Sequence, residues 1–267
     1  MGKAALGFAG EASPDQARTK TQIRKRLDEL MAACREWVQS ELKSALADRI
    51  ADQLGTKEQW RLIVDPDAQD GQCLLFQYPS AFSPKETAYV NPVVKIELGA
   101  RSDDWPSEWR VVTPYVNDLL APESAEPFAR VPALAAERTF WEKALLLHEE
   151  TFRPADKPRR MRMARHYYDA WCLIVRGVAA RALAEDALFE RVAGHREIFF
   201  RLGWVDYATM HRGSLRLTPP DHHIEDWRRD YDAMVESMFY GERPAFDEIL
   251  RVVGEFERQF NASARSL

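Results

Sequence analysis

The sequence predicts an α+β protein: one long N-terminal helix, a small mixed sheet, and a helical C-terminal domain. Three observations support this class. Apolar residues recur every three or four positions before Gly55, and short β-branched runs separated by Pro, Gly and Asp follow it. Helical periodicity then returns after Pro132 and continues to the end of the chain.

The first predicted element is a long amphipathic helix. Ser13 followed by Pro14 is typical of a helix N-terminus, and Gly55 is typical of a C-terminus. Between them, apolar residues follow in steps of three and four at Ile23, Leu27, Leu30, Met31, Cys34, Val38, Leu42 and Leu46. This pattern favours one long helix or two in series.

Short strands are predicted next, at 60–65, 72–78, 93–100 and 109–113. The third of them alternates Val94, Ile96 and Leu98 with Lys95, Glu97 and Gly99. Because successive side chains of a strand point to opposite faces, we expect Lys95 and Glu97 together on the polar face of the sheet.

The rest of the chain is predicted to be helical. A segment rich in proline and small residues, 114–131, separates it from the strands, and we therefore predict two domains, 1–120 and 121–267. An extended piece at 213–220 interrupts the helices. The predicted helices span 132–150, 160–184, 186–202, 222–239 and 245–264.

Composition excludes several classes of function. A net charge of −5 argues against a surface that coats nucleic acid or an anionic membrane, so such contacts need a local basic patch. Cys34, Cys73 and Cys172 form no CxxC pair, which favours free thiols in a reducing compartment. The sequence has neither a long apolar span nor a typical signal peptide. We expect a cytoplasmic protein with no membrane partner.

The densest polar pattern lies on the first two C-terminal helices. Lys143 lies beside the apolar face of the first helix. Arg162, Arg165, His166 and Asp169 follow at i, i+3, i+4 and i+7, which places them on one face of the second helix. A purely structural interpretation is also open. Lys143 can be an ordinary lysine in solvent, and Arg165 and Asp169 can form a helix ion pair that contributes about a few tenths of a kcal/mol to stability.

A basic cluster extends from the connecting loop into the second helix. One arginine guanidinium can donate two parallel hydrogen bonds to the oxygens of a phosphate group, so the cluster suits a phosphate ligand. The alternative is a loop that balances the acidic helix before it, and the residue pattern leaves both open. The cluster consists of Arg153, Lys157, Arg159, Arg160, Arg162 and Arg165.

The block "ERTFWEKALLLHEE…RHYYDAWCL" resembles the third and fourth motifs of the AbiEii/AbiGii nucleotidyltransferases, a family that includes the toxins of type IV toxin–antitoxin systems. "NPVVKIELGARSDDWP" is similar to the family's strand with an acidic residue, and "LGWVDYATMHRGSLRLTPP" is similar to part of its C-terminal helical region. The resemblance covers essentially the whole chain.

This resemblance implies a nucleotidyltransferase-like (polymerase-β-like) fold, Mg²⁺ as cofactor and a nucleoside triphosphate as substrate. It also implies tRNA as the acceptor in some members and a cognate antitoxin as a partner. Matched by position, Glu97, Lys143 and Asp169 are expected to be catalytic, with Glu97 as the metal ligand. The residues expected to bind nucleotide phosphates are Lys143, Arg159, Arg160, Arg162 and Arg165.

The family's Gly-rich stretch and its Ser-x-Asp-x-Asp stretch do not occur in this sequence. We expect an active enzyme to carry both upstream of Met1. The alternative is a truncated, non-catalytic remnant that binds nucleotide, RNA or a partner protein through the Arg-rich segment 153–165. A further alternative is a helical scaffold in which Lys143 and Asp169 are only structural.

Overall fold

A computed structural model describes residues 3–55, 59–80, 92–114, 129–239 and 243–262, with the backbone alone at 235–237. Its described helices and antiparallel strands confirm the α+β class. The chain divides into two compact units, residues 1–103 with 198–200, and residues 104–197 with 201–267. The predicted domain boundary at residue 120 lies outside the described residues.

The first unit begins with the predicted amphipathic helix, which is α1 (Lys20–Trp37). The predicted start at Ser13 is wrong, because Ser13 and Pro14 lead only into a short 3-10 turn and the Ser13 side chain caps nothing. Thr19 is the cap instead, since its extended backbone lets its side chain accept a 3.2 Å hydrogen bond from the N–H of Gln22.

The helix continues through a π-helical turn (Val38–Leu42) into α2 (Lys43–Leu54). Gly55 ends α2 as predicted, with a φ of +79° that glycine adopts without strain.

A three-stranded antiparallel sheet covers this helical segment, with β1 (Arg61–Val64), β2 (Cys73–Gln77) and β3 (Val93–Glu97) in the order β1-β2-β3. The apolar face of the sheet and the apolar stripe of the helices form one core. Its buried members include Leu30, Cys34, Val38, Trp60, Leu62, Leu74 and Phe199.

The second unit starts with an antiparallel strand pair, β4 (Ser107–Val112) and β5 (Ala129–Leu134). Strand β5 was not predicted, and the predicted helix start at Pro132 is wrong. Pro132 lies opposite Trp109 in the strand pair. An edge strand tolerates proline, which lacks an N–H to donate. The chain leaves the strand pair at Ala135, whose N–H donates to the carbonyl of Pro106, and the helix begins at the next residue.

Helices make up most of the second unit. The prediction of a single helix at 160–184 is wrong. The observed helix begins at Arg165, and the helix breaks at Gly177, whose φ is +75°, before a second helix starts. The helices are α3 (Ala136–Glu150), α4 (Arg165–Val175), α5 (Val178–Leu183), α6 (Asp186–Phe199), α7 (Asp221–Met238) and α8 (Phe246–Ala262).

Aromatic side chains fill the core of this second unit. Trp141 of α3 lies 4.8 Å from Phe189 and 5.3 Å from Phe260, measured between ring centroids. Such tilted and edge-on contacts stabilise aromatic clusters beyond the burial of their area. No helix in the described part of the chain combines the length and the apolar character needed to cross a membrane.

Candidate functional site

Lys143, His166 and Asp169 form a polar cluster between α3 and α4, here called the Lys143 cluster. The ammonium Nζ of Lys143 lies 2.8 Å from Oδ2 of Asp169 and 3.2 Å from Nδ1 of His166. Nδ1 of His166 lies 3.8 Å from the same carboxylate oxygen. The three side chains therefore act as one unit rather than as separate surface groups.

The packing of α3 explains why Lys143 is held at this place. Phe140, Trp141, Ala144 and Leu147 of α3 are fully buried, and Lys143 lies at the margin of that buried face. Its side chain keeps 26% of its surface exposed, and its ammonium is held by Asp169 and His166.

The electrostatics of the cluster favour a neutral His166 and a charged Asp169. Burial lowers the pKa of His166, and the charges of Lys143 and Arg165 lower it further. Burial alone would raise the pKa of Asp169, but the polar side chains of His166 and Lys143 beside it hold that pKa below its ordinary value. A neutral His166 can accept a proton donor at Nδ1, so Lys143 uses two of its three N–H donors on the cluster.

Of the two arginines that were predicted to share the face of Asp169, Arg165 lies on α4 at i, i+4 as predicted, and Arg162 lies outside the helix. Asp169 pairs with Lys143, and Arg165 is exposed with no carboxylate partner among the described residues. Arg162 precedes α4 and has a left-handed backbone with φ of +66°, so its predicted place on the helix face is wrong. Its N–H and that of Ala164 donate to the two carboxylate oxygens of Asp230, at 2.6 and 2.7 Å.

Two further arginines of the basic cluster share a buried carboxylate. Glu150, with 6% of its side chain exposed, accepts from Arg153 at 2.7 and 2.5 Å and from Arg159 at 3.3 Å. The Arg159 guanidinium also lies 3.9 Å above the ring of Trp227 and 3.3 Å from Nδ1 of His223. These contacts give Arg153 and Arg159 a structural role, and the role of Arg159 in phosphate binding stays a prediction.

A cavity of about 310 Å³ lies between the connecting loop and α7 and is called the basic-loop cavity. Lys157 and Arg160, both exposed, have no carboxylate partner in the described ranges. Lys157 Nζ lies 4.3 Å from the ring centroid of Trp204. The charged residues that line the cavity are Arg153, Lys157, Arg159, Arg160, Asp226 and Asp230, together with His223.

Glu97, the predicted metal ligand, lies on β3 in the first unit. Lys95 Nζ is 3.0 Å from Oε1 of Glu97 and 3.4 Å from Oδ2 of the buried Asp65, so the predicted pairing of Lys95 with Glu97 is confirmed. Nowhere in the described ranges do three or more His, Cys, Asp or Glu side chains gather to hold a metal ion. Glu97 supplies one carboxylate and Lys95 is already bound to it, so this pair alone does not form an Mg²⁺ site, which needs several oxygen ligands.

Two residues that hold this region together, His166 in the Lys143 cluster and Asp230 at the end of the basic loop, were not predicted from the sequence. His166 was placed on the correct helix but not among the site residues, although its i, i+3 spacing to Asp169 was the available signal. Asp230 had no such signal, because its partners are backbone N–H groups far away in the sequence.

Comparison with known proteins extends this description. No match was found among curated proteins or among solved structures. The family model described as "Nucleotidyl transferase AbiEii toxin, Type IV TA system" matches residues 13–252, which is most of the chain and includes β3, the Lys143 cluster and the basic loop. The chain therefore belongs to the AbiEii family of nucleotidyl transferase toxins from type IV toxin–antitoxin systems.

Proposed function

We propose that this protein transfers a nucleoside monophosphate from a nucleoside triphosphate to a hydroxyl group of an RNA acceptor such as tRNA. Membership in a nucleotidyl transferase family supports the reaction class. The observation that carries the proposal is the Lys143 ammonium, which Asp169 fixes at 2.8 Å while it stays partly exposed.

In this reaction the acceptor hydroxyl attacks the α-phosphorus and forms a new phosphodiester bond. The bond from that phosphorus to the bridging oxygen breaks, pyrophosphate leaves, and the hydroxyl proton goes to solvent or a nearby base. Negative charge builds up on the leaving pyrophosphate, and a pre-positioned ammonium stabilises it most when water is excluded. We assign that role to Lys143.

The neighbours of Lys143 divide the remaining work. Asp169 and His166 are positioning residues, because they hold the ammonium and do not themselves carry positive charge at neutral pH. Arg165 is exposed at the start of α4, four residues before Asp169, and we assign it as a second cation for a phosphate oxygen. Glu97 and Mg²⁺ stay proposals that rest on the family, as does a cognate antitoxin as partner. A reaction that uses nucleoside triphosphate and RNA is expected in the cytoplasm.

The complete gene product, purified from its host, tests the proposal. It is incubated with total tRNA and each of the α-³²P-labelled nucleoside triphosphates in turn, with Mg²⁺ or with EDTA. We expect labelled RNA with at least one nucleotide and none with EDTA. Absence of labelled RNA with every nucleotide would contradict the proposed reaction, and label transfer in EDTA would contradict the proposed cofactor.

A further inference from the structure

We infer that the basic-loop cavity binds the phosphodiester backbone of a single-stranded nucleic acid, as a site separate from the Lys143 cluster. The role of that strand as acceptor RNA rests on the proposed function. The binding itself does not, and it can be measured without any transfer reaction.

The loop that carries the basic side chains is anchored at both ends. At its start Arg153 is bound twice by the buried Glu150, and at its end the Asp230 carboxylate accepts the N–H groups of Arg162 and Ala164. Pro154 and Pro158 restrict the backbone between these anchors. A ligand therefore meets a loop backbone that is already held in place, which reduces the entropy lost on binding.

The cavity keeps a positive charge after the ion pairs and hydrogen bonds among its lining residues are counted. Glu150 lies beneath Arg153 and Arg159 and balances one of the two guanidinium charges. Of the carboxylates that line the cavity, Asp226 pairs with Arg229, and Asp230 accepts backbone N–H groups.

The exposed cations Lys157 and Arg160 are left without a carboxylate in the part of the chain that the structure describes. In a protein of net charge −5, this is a local site for an anion.

The arrangement of these cations favours a strand over a single phosphate group. Lys157 and Arg160 lie three residues apart on one exposed loop. Single contacts of exposed cations with phosphates are weak, whereas contacts along one polyanion add up through the release of counterions. At about 310 Å³ the cavity is at the low end of ligand sites and suits one unit of a strand rather than a duplex.

The affinity of this site for a strand is expected to depend on the charge of the phosphates more than on the identity of the bases. Lys157 already covers one ring face of Trp204, and Arg159 covers one ring face of Trp227. Those faces are not open for stacking with bases, which is the usual aromatic contribution to single-strand binding. Phosphate contacts without base contacts fix position on a strand but carry no sequence information.

The test is fluorescence anisotropy of the full chain with a labelled single-stranded RNA, in the absence of nucleotide and over a range of about 50 to about 200 mM salt. The variant is Lys157→Gln with Arg160→Gln. The matched control is Lys20→Gln with Arg24→Gln, which removes the same charge from exposed positions on α1.

Loss of two phosphate contacts on a single strand is expected to reduce the slope of log K against log salt by about 1.4 and to weaken binding by about tenfold at low salt. The control pair is expected to shift affinity by less than about twofold, as removal of distant charge does when screened.

Two further competition experiments identify the kind of anion that the site binds. Inorganic triphosphate and polyglutamate are both expected to compete poorly with RNA. Equal loss in the variant and its control, or competition by polyglutamate as strong as that by RNA, would overturn the inference. Failure of transfer with this binding pattern intact would refute the proposed function and leave the binding site standing.

Discussion

Lys143 of α3 and Asp169 of α4 form an ion pair of 2.8 Å that joins the two helices on either side of the basic loop. The pair is only partly buried, with 26% of the lysine side chain and 38% of the aspartate side chain exposed. Such a pair contributes little to stability, about 1 kcal/mol or less. Its main effect is to fix the direction of the ammonium.

Asp169→Asn tests that positioning role. The change keeps the size of the side chain and removes its charge, so Lys143 loses its ion pair but stays in the cluster. We expect label transfer to fall by about 10- to 100-fold, while the free energy of unfolding in urea changes by no more than about 1 kcal/mol. Transfer at the wild-type rate would show that Asp169 does not position Lys143.

Glu150→Gln is expected to be severe for stability. The buried Glu150 carboxylate is the partner of both Arg153 and Arg159, and its loss leaves their charges uncompensated in a mostly buried place. Breaking such a buried pair from one side typically costs about 3–5 kcal/mol in the free energy of unfolding. Urea denaturation measures it. Glu190→Gln, at an exposed position, serves as the control and is expected to stay within about 0.5 kcal/mol.

Asp230→Ala should loosen the end of the basic loop. The N–H groups of Arg162 and Ala164 lose their charged acceptor, and we expect a loss of about 2 kcal/mol together with faster hydrogen exchange at both amides. The comparison is Asp232→Ala, whose side chain is 63% exposed. If both variants exchange these amides at the wild-type rate, Asp230 does not anchor the loop.

Stability should fall in mild acid because of His148. This side chain is fully buried, accepts the N–H of Arg216 at Nδ1 (3.0 Å), and lies 3.0 Å from Oγ1 of Thr209 through Nε2. Burial lowers its pKa to about 4, and the charge of Arg216 adds to the effect. The unfolded chain, with a histidine pKa of about 6.5, therefore binds a proton first as the pH falls.

The contribution of His148 to stability is fully present above about pH 6.5 and is lost as the pH falls toward 4. Between pH 7 and pH 5 we expect a loss of about 2 kcal/mol from this group alone. Burial also lowers the pKa values of His166 and His223, so wild type is compared with His148→Gln to isolate the effect. Equal pH dependence in both proteins would contradict this account.

Periodicity predicted most of the helices and strands, but not how they begin and connect. The pattern of α3 and the alternation of β3 are local, and both appear where predicted. The start of α4 depends on Asp230, which holds the backbone of Arg162 in a left-handed conformation from a distant helix. The strand β5 depends on pairing with β4, so its own sequence, interrupted by Pro132, did not indicate a strand.

The same division applies to the candidate site. The resemblance to a family identified Lys143 and Asp169 as site residues, but local spacing indicated only an Arg165–Asp169 pair on one helix, whereas Asp169 pairs with Lys143 between two helices. Local spacing predicts contacts within a helix, whereas contacts between helices need the packing of α3 on α4. The division of the arginines into those bound to Glu150 and those left exposed also required the structure.

The most direct test of the central claim is label transfer to RNA by the complete protein and by its Lys143→Ala variant, measured under identical conditions. Lys25→Ala is the control, since Lys25 is an exposed lysine in an ion pair with Glu29. The account predicts a loss of about 100-fold or more in Lys143→Ala, a wild-type rate in Lys25→Ala, and similar thermal midpoints for all three proteins. Transfer by Lys143→Ala at the wild-type rate would contradict it.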